Sequence, residues 1–366
     1  NDYRKKDSLQ LARKDPRFLD SLVRKRNKIT AMGLVVFGQT FTRERKRTSV
    51  SFSSLIDIIS FNPAEGWVLS PAITWSKRID TTASGRKRIS ITPVMRYGFS
   101  NRHINPYITA RYSFGKKYAS QLSLSGGSRV FQFNNNSPIG ESGNTLSCLL
   151  SEENRIKSYE ARYIRGSFRK GIGDGLSWVV AFQFQDRRPL ENTTDYTWRN
   201  KPDRAYTPNY PNEITSQNIE RHKVFFTQLG LTWQPAARYI ELPDRKINIG
   251  SKYPVFSLSY TRNFRNLFGS DADFSKWRLA IRDDINFSLA GTLRYRVAMG
   301  GFIDNDKVYL PDYNHFNGNI SRFATEYLNS FQLLPIYQFS NISKFYALAH
   351  IEHNFKGSLT KKIPGM

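Results

Sequence analysis

Side chains of one chemical kind recur at every second position in segment after segment of this chain, and no stretch is uniformly apolar. Leu176, Trp178, Val180, Phe182 and Phe184 share one parity, whereas Ser177, Ala181, Gln183 and Gln185 share the other. Ile108, Ala110, Tyr112 and Phe114 stand against Tyr107, Thr109, Arg111 and Ser113 in the same way. So do Leu293, Tyr295, Val297 and Met299 against Arg294, Arg296, Ala298 and Gly300. A period of two sends alternate side chains to opposite faces of a strand, so each segment has an oily face and a wet face. A soluble sandwich also alternates, but it hides its apolar face on a second sheet and uses strands of roughly 5–6 residues. Segments of roughly ten residues or more are the length a tilted strand needs to cross a bilayer. The pattern predicts an all-β fold, a transmembrane antiparallel β-barrel behind an N-terminal helical lead-in.

Composition narrows the alternatives. Of 366 residues, 39% are hydrophobic and 14% aromatic, and the mean hydropathy is -0.53. The chain is too polar for a helical membrane protein, and no run approaches the roughly 18 apolar residues of a spanning helix. With 19 Tyr and 26 Phe it is too aromatic for a disordered chain. A polar lumen behind a lipid belt with aromatic girdles reconciles the two. Cys148 is the sole cysteine, which excludes an intrachain disulfide and a cysteine-built zinc site. The net charge of +25 and pI near 10.1 raise nucleic-acid binding as a class. The basic residues, however, alternate along strands rather than forming a helix stripe or a tail, which argues against nucleic acid. Lining a lumen, or meeting lipopolysaccharide phosphates from the loops, fits their placement.

Along the chain, residues 1–33 form the lead-in, a linker, plug or loop with Leu9, Leu11, Phe18, Leu19 and Leu22 at helical spacing among charges. Residues 34–366 are read as the barrel, truncated at its C-terminus and part of a longer protein. About fourteen strands are expected from alternation and turn chemistry, near 34–41, 49–60, 67–77, 89–99, 105–114, 119–132, 157–169, 175–187, 222–234, 252–264, 274–288, 291–303, 327–339 and 343–355. Polar strings at 62–66 and 171–175 mark hairpins. Pro93, inside a strand, marks a bulge or an edge. The connections at 134–156, 188–221 and 304–326 are long, and bacterial barrels let extracellular loops grow. All three follow even-numbered strands, which suggests a further strand upstream.

Closure of the barrel accounts for most of this pattern, because unpaired backbone groups in lipid cost several kcal/mol each. What remains is the polar parity. It carries the candidate lumen-facing basic residues Arg96, Arg111, Arg165, Arg278, Arg282, Arg294 and Arg296, with Glu160 and Asp284 as counter-charges on their own strands. Two outcomes compete: a basic lumen open to anions, or a ladder cross-braced by carboxylates. His315, Phe316, Asn317 and Gly318 lie in a connection dense in turn formers and aromatics, and are the candidates for a loop folded inward. His350 and His353, three apart on a strand, face opposite sides and do not form a metal pair. No nucleophile elbow, phosphate loop, His-Glu-x-x-His or calcium loop occurs, so neither an enzyme nor a cofactor or metal is expected.

Several strings resemble an uncharacterised Bacteroidota outer-membrane β-barrel family that usually carries an upstream carboxypeptidase-regulatory-like domain. They are 7–9 and 15–28 in the lead-in, Phe61-Asn62-Pro63-Ala64-Glu65-Gly66, Tyr97-Gly98-Phe99-Ser100, the run 125–134 around Gly126-Gly127, Asn317-Gly318-Asn319, and Glu352-His353-Asn354-Phe355-Lys356-Gly357. The last string is also similar to the penultimate region of sixteen-stranded outer-membrane assembly and secretion barrels, and the fourteen strands expected here plus two beyond Met366 would give sixteen in the intact protein. The Arg-Gly-aromatic loop tip of those proteins is absent here; Asn317-Gly318 is the nearest stand-in. The resemblance implies a cell outer-membrane location, with lipid, lipopolysaccharide and envelope proteins as partners.

The expected function is therefore non-enzymatic: envelope transport or assembly of outer-membrane components. An anion channel with a basic lumen is one alternative, and a receptor or adhesin acting through the 188–221 loop is another. An assembly protein should have a lateral seam beside a weakly paired first strand, for which Met32–Thr40, with Gly33 and Gly38, is the candidate.

Overall fold

The computed structural model describes residues 16–80, 87–115, 117–135, 139–199, 205–211, 213–214, 220–242, 245–319 and 327–356. Its strands are β1 (Gln39–Arg43), β2 (Thr48–Phe52), β3 (Ile59–Asn62), β4 (Gly66–Leu69), β5 (Ile73–Arg78), β6 (Arg88–Gly98), β7 (Ile104–Phe114) and β8 (Ser120–Gln132). They continue with β9 (Ser158–Gly173), β10 (Leu176–Pro189), β11 (His222–Trp233), β12 (Arg238–Leu242), β13 (Arg245–Gly250), β14 (Val255–Asn263), β15 (Asp273–Asn286), β16 (Thr292–Lys307) and β17 (Tyr346–Asn354). Thirteen strands pair edge to edge in the order β1-β2-β5-β6-β7-β8-β9-β10-β11-β14-β15-β16-β17, and β3 and β4 attach beside β6. Neighbours along this order run antiparallel. No pairing of β17 with β1 is present among the described residues. None of the described helices is long and apolar enough to cross a membrane.

The two faces of this sheet are inverted relative to a water-soluble protein. Leu122, Leu124, Ile164, Phe182, Leu229, Leu231 and Leu258 lie exposed, with Leu124 at 53% and Leu229 at 50%. On the other parity, Thr109, Arg111, Ser123, Ser125, Arg165, Gln183, Gln228, Ser259 and Arg278 line a common cavity of about 1020 Å³. Strands far apart in the hydrogen-bonded order thus share one interior, so the sheet curls around its polar face.

Helix α1 (Pro16–Arg26) opens with Pro at the first helical position, where its missing N–H costs nothing, and ends on Arg24, Lys25 and Arg26. Arg26 binds Glu44 at 2.7 Å and Arg45 binds Asp20 at 2.9 Å, docking α1 beside the β1–β2 turn. The rest of the expected lead-in helix, residues 1–15, lies outside the described residues. Asn27 then imitates a strand: its Oδ1 accepts from the Thr42 amide and its Nδ2 donates to the Thr42 carbonyl.

Several expected strands are corrected by the structure. The first does not run through 34–41, because Gly33–Phe37 forms a π-helical turn closed by Gly38 at φ 77°, and β1 begins only at Gln39. The segment 49–60 breaks where Ser54 caps α2 (Leu55–Ile58), accepting from the Asp57 amide. The segment 67–77 divides between β4 and β5 around Pro71, which has no N–H to give. No strand occupies 327–339; a 3-10 turn at Tyr327–Asn329 is followed by irregular chain held by the Leu334 carbonyl, which accepts from Asn319. The β12–β13 hairpin was not expected; it is anchored where the Tyr239 hydroxyl accepts from the Gly175 amide at 2.9 Å. Pro93 sits at a change of partner, between the β5 pair Trp75–Ile91 and the bridge Ala72–Val94.

Gly127 shows how closely β7 and β8 approach. Its φ is +136°, and a Cβ there would meet the Tyr107 Cα at 2.6 Å and collide with the Pro106 carbonyl oxygen. Gly127→Ala should destabilise the sheet by about 1–3 kcal/mol, read as a lower urea midpoint by tryptophan fluorescence.

Candidate functional site

One end of the cavity is packed. The connection between β8 and β9 carries α3 (Glu141–Ser151), and the β3–β4 hairpin turns on Asn62, whose Oδ1 accepts from the amides of Ala64 and Glu65. That turn delivers Glu65, 1% exposed, to Arg96. The guanidinium donates to Glu65 through Nε at 2.8 Å and Nη2 at 2.6 Å, and to Glu141 through Nη1 at 2.9 Å. Arg96 thereby ties hairpin, helix and sheet into one lid. Beside it, Phe61, Cys148, Leu149 and Tyr206 form a buried cluster, and burial pushes the Cys148 thiol up to about 12, so it is a packing residue.

The connection between β16 and β17 folds inward from the same end. Leu310, Tyr313, Ile336 and Tyr337 pack with Phe133 and Tyr159 of the wall. Asp312 is gripped by a bidentate fork from Arg187, at 2.6 and 2.9 Å, while Lys276 Nζ donates to the Asp312 carbonyl at 2.7 Å. Arg187 also donates to Gln185 at 2.7 Å and lies over the Tyr159 ring. His222 stacks on Tyr309 with centroids 3.6 Å apart. His315 Nδ1 meets Ser340 Oγ at 2.9 Å, its Nε2 is buried, and burial pushes its pKa down to about 3. The ring is therefore neutral at physiological pH and adds no charge to the cavity.

Of the expected basic residues, Arg96, Arg111, Arg165, Arg278, Arg282 and Arg296 line the cavity. Arg294 shares their parity but binds Glu352 at 2.6 Å, nearer the short turns. His315, Phe316 and Asn317 are on the cavity wall, and Asn317 meets Asn134; Gly318 packs beneath Leu334 and Pro335. The expected counter-charges differ. Glu160 has the parity opposite to Arg165 and bonds His103 Nδ1 at 2.7 Å, and Asp284 makes no ion pair among the described residues. The carboxylates that do line the cavity, Glu65, Glu141 and Asp312, are engaged by Arg96 and Arg187. Arg111, Arg278, Arg282 and Arg296 have no carboxylate partner among the described residues, and Arg165 donates to Gln183 at 2.6 Å.

Four participants escaped the sequence reading: Arg187, Lys276, His222 and Arg129, which lines the cavity with its guanidinium over the Tyr107 and Phe131 rings. Arg187 continues the parity of Gln183 and Gln185, and Lys276 that of Arg278, so strict extension of the alternation would have found both.

Residues 32–366 match the C-terminal domain of the family of unknown function DUF5686. The chain belongs to that family. No curated protein matches it. The match begins just before β1 and takes in the whole sheet, the lid and the inward loop.

Breaking one side of a buried ion pair leaves the other charge stranded. Asp312→Asn should cost about 3–5 kcal/mol and expose the inward loop to protease, whereas Arg187→Met with Asp312→Leu should recover much of that loss. Urea midpoints and limited proteolysis of the three proteins check this.

Proposed function

We propose that the chain is a closed outer-membrane β-barrel acting in envelope transport, whose basic lumen admits anionic solutes past the inward loop. The observation that carries the reading is the inversion of the two faces, apolar outside and cationic inside. Aromatic side chains add to it by gathering at both ends of the outer face. Near the short turns, Phe114, Phe168 and Trp178 pack together, and Trp233 packs on Phe256. Near the long loops, Tyr97 packs on Phe99, and Phe225 on Phe264 and Phe268. Along β11, Phe225 and Trp233 are eight residues apart, about 27 Å of strand, which suits the apolar band of a tilted barrel strand. The choice of a Bacteroidota outer membrane rests on the sequence resemblance alone.

One observation favours assembly as a second reading. β1 has five residues, and at Thr42 its outer edge is met by an asparagine side chain instead of a strand. Such an edge suits a lateral seam.

A charge on the lipid face separates a membrane barrel from a soluble sheet. Leu124→Arg should cost about 2–4 kcal/mol in a bilayer, while Ser125→Arg, on the wet face, should be tolerated. Equal tolerance of both, measured by folding yield into vesicles, would count against membrane insertion. In planar bilayers under a salt gradient, the protein should pass current in brief events with anion preference, and Asp312→Asn should lengthen them. A cation-preferring current sinks the basic-lumen reading.

A further inference from the structure

The register of β15, β16 and β17 stacks the cavity wall in layers. Arg282 pairs with Arg296, and Arg296 with His350. The next layer toward the inward loop is Ala280, Ala298 and Leu348, and the one beyond it is Arg278, Gly300 and Tyr346. On one face of an antiparallel sheet, directly opposed side chains stand roughly 4.5–5.5 Å apart at Cβ, where like charges destabilise. Arg282 and Arg296 occupy that arrangement with no carboxylate among the described residues to relieve it. Glu352 in the adjoining layer is held by Arg294 at 2.6 Å, and Asp284 there reaches none of the arginines with an ion pair.

Between the two arginine layers the wall is small on β15 and β16, with Leu348 of β17 beside it. Ala280 and Ala298 contribute little bulk there, Gly300 opens the Arg278 layer, and Ser257 and Ser259 continue the two layers onto β14. Arg278 is two positions beyond Ala280, so the layers of Arg282 and Arg278 are about 13 Å apart along the strand. Guanidinium side chains reaching inward from both can close on a group held over the alanines. The inward loop roofs this recess: the Phe331 ring lies 4.6 Å from His350, the Phe316 ring 4.9 Å from Tyr346, and Asn329 also reaches the cavity.

We propose that Arg278, Arg282 and Arg296 form a binding site for a phosphate-bearing anion, seated over Ala280 and Ala298 and roofed by Phe316 and Phe331. The proposal rests on the basic-lumen reading and deepens it by naming the anion. Each guanidinium offers a rigid fork of donors that matches a tetrahedral oxyanion. A carboxylate brings one charge and two oxygens in one plane, too few for three forks approaching from two layers. A phosphate dianion brings oxygens in several directions and offsets two of the three charges. The site is on the polar parity, opposite the exposed leucines, so a soluble phosphate or phosphoester reaches it from the lumen.

The test uses the full-length protein in detergent micelles, with inorganic phosphate as the probe and chloride at matched ionic strength as the reference. Phosphate should raise the thermal midpoint of the wild type, and equilibrium dialysis should show saturable binding. Arg282→Gln with Arg296→Gln should weaken binding about tenfold or more, the scale of lost charge-assisted hydrogen bonds. That variant should also be at least as stable as the wild type without phosphate, because the opposed charges are gone. Arg282→Lys with Arg296→Lys keeps the charge, loses the forks and should fall between. Arg111→Gln with Arg165→Gln, on β7 and β9, should lower anion preference in bilayers but hold phosphate affinity within about twofold. Equal loss in both glutamine pairs would mean a diffuse field, which overturns the site and leaves the basic lumen standing. No phosphate effect beyond chloride in an anion-selective wild type overturns the site as well. Absence of anion selectivity altogether brings down the lumen reading first.

Discussion

The arrangement of this molecule depends on a buried carboxylate. Asp312 lies in a connection, yet it is withdrawn from water among strands, where an isolated charge would be too costly to keep. The fork from Arg187 and the bond from Lys276 to its carbonyl make that burial tolerable. Those two cations stand on β10 and β15, which are not neighbours in the sheet, so one loop residue braces two distant parts of the wall. Once the loop is fixed there, Leu310, Tyr313 and Tyr337 can pack on Phe133 and Tyr159, and the interior divides into a packed end and a wet end. Such a pair need not add much net stability over an apolar substitute. Its distinctive effect is positional, since it holds the loop at one depth.

The charge distribution follows from that division. Every carboxylate on the cavity wall is engaged at the packed end, by Arg96 on the lid side and Arg187 on the loop side. Arg111, Arg278, Arg282 and Arg296 are left facing solvent without an acidic partner among the described residues. A ladder braced by carboxylates and a basic lumen looked like competing designs for this chain. Carboxylate-engaged arginines, Arg96 and Arg187, stand at the packed end, and the arginines without an acidic partner among the described residues line the rest of the cavity.

Alternation made the strands from β6 to β11 and from β14 to β17 legible, because a period of two survives wherever one face meets water and the other does not. It failed where a local capping or proline effect outweighed it. Ser54 turns the chain into a helical turn although Ile56 and Ile58 keep the alternating pattern, and Pro71 parts two strands that read as one. Val35, Val36 and Phe37 read as strand by residue type, but the turn closed by Gly38 takes them out of the ladder. Leu333 and Leu334 were misread for a similar reason: apolar content imitates a strand in a segment that packs as irregular chain. Within the site, parity placed the arginines on the cavity wall, but it could not tell which were spent. That depended on Glu65, Glu141 and Asp312, which arrive from connections, and no one-dimensional period links a connection to the strand it meets.

The inward loop joins the two halves of the interior. Its anchor, Asp312, and its roof, Phe316 and Phe331, are parts of one folded segment bridged by Asn314–Asn341 and Gly318–Phe331. The segment that Arg187 holds through Asp312 thus also sets Phe316 against Tyr346 and Phe331 against His350. On the proposed reading, an anion held by Arg282 and Arg296 sits under that roof and is bound more tightly with the loop seated. Closure of the loop in turn screens the recess from water and strengthens each bond to the anion. By thermodynamic linkage the two effects are equal in free energy, so occupancy must stabilise closure by as much as closure tightens occupancy.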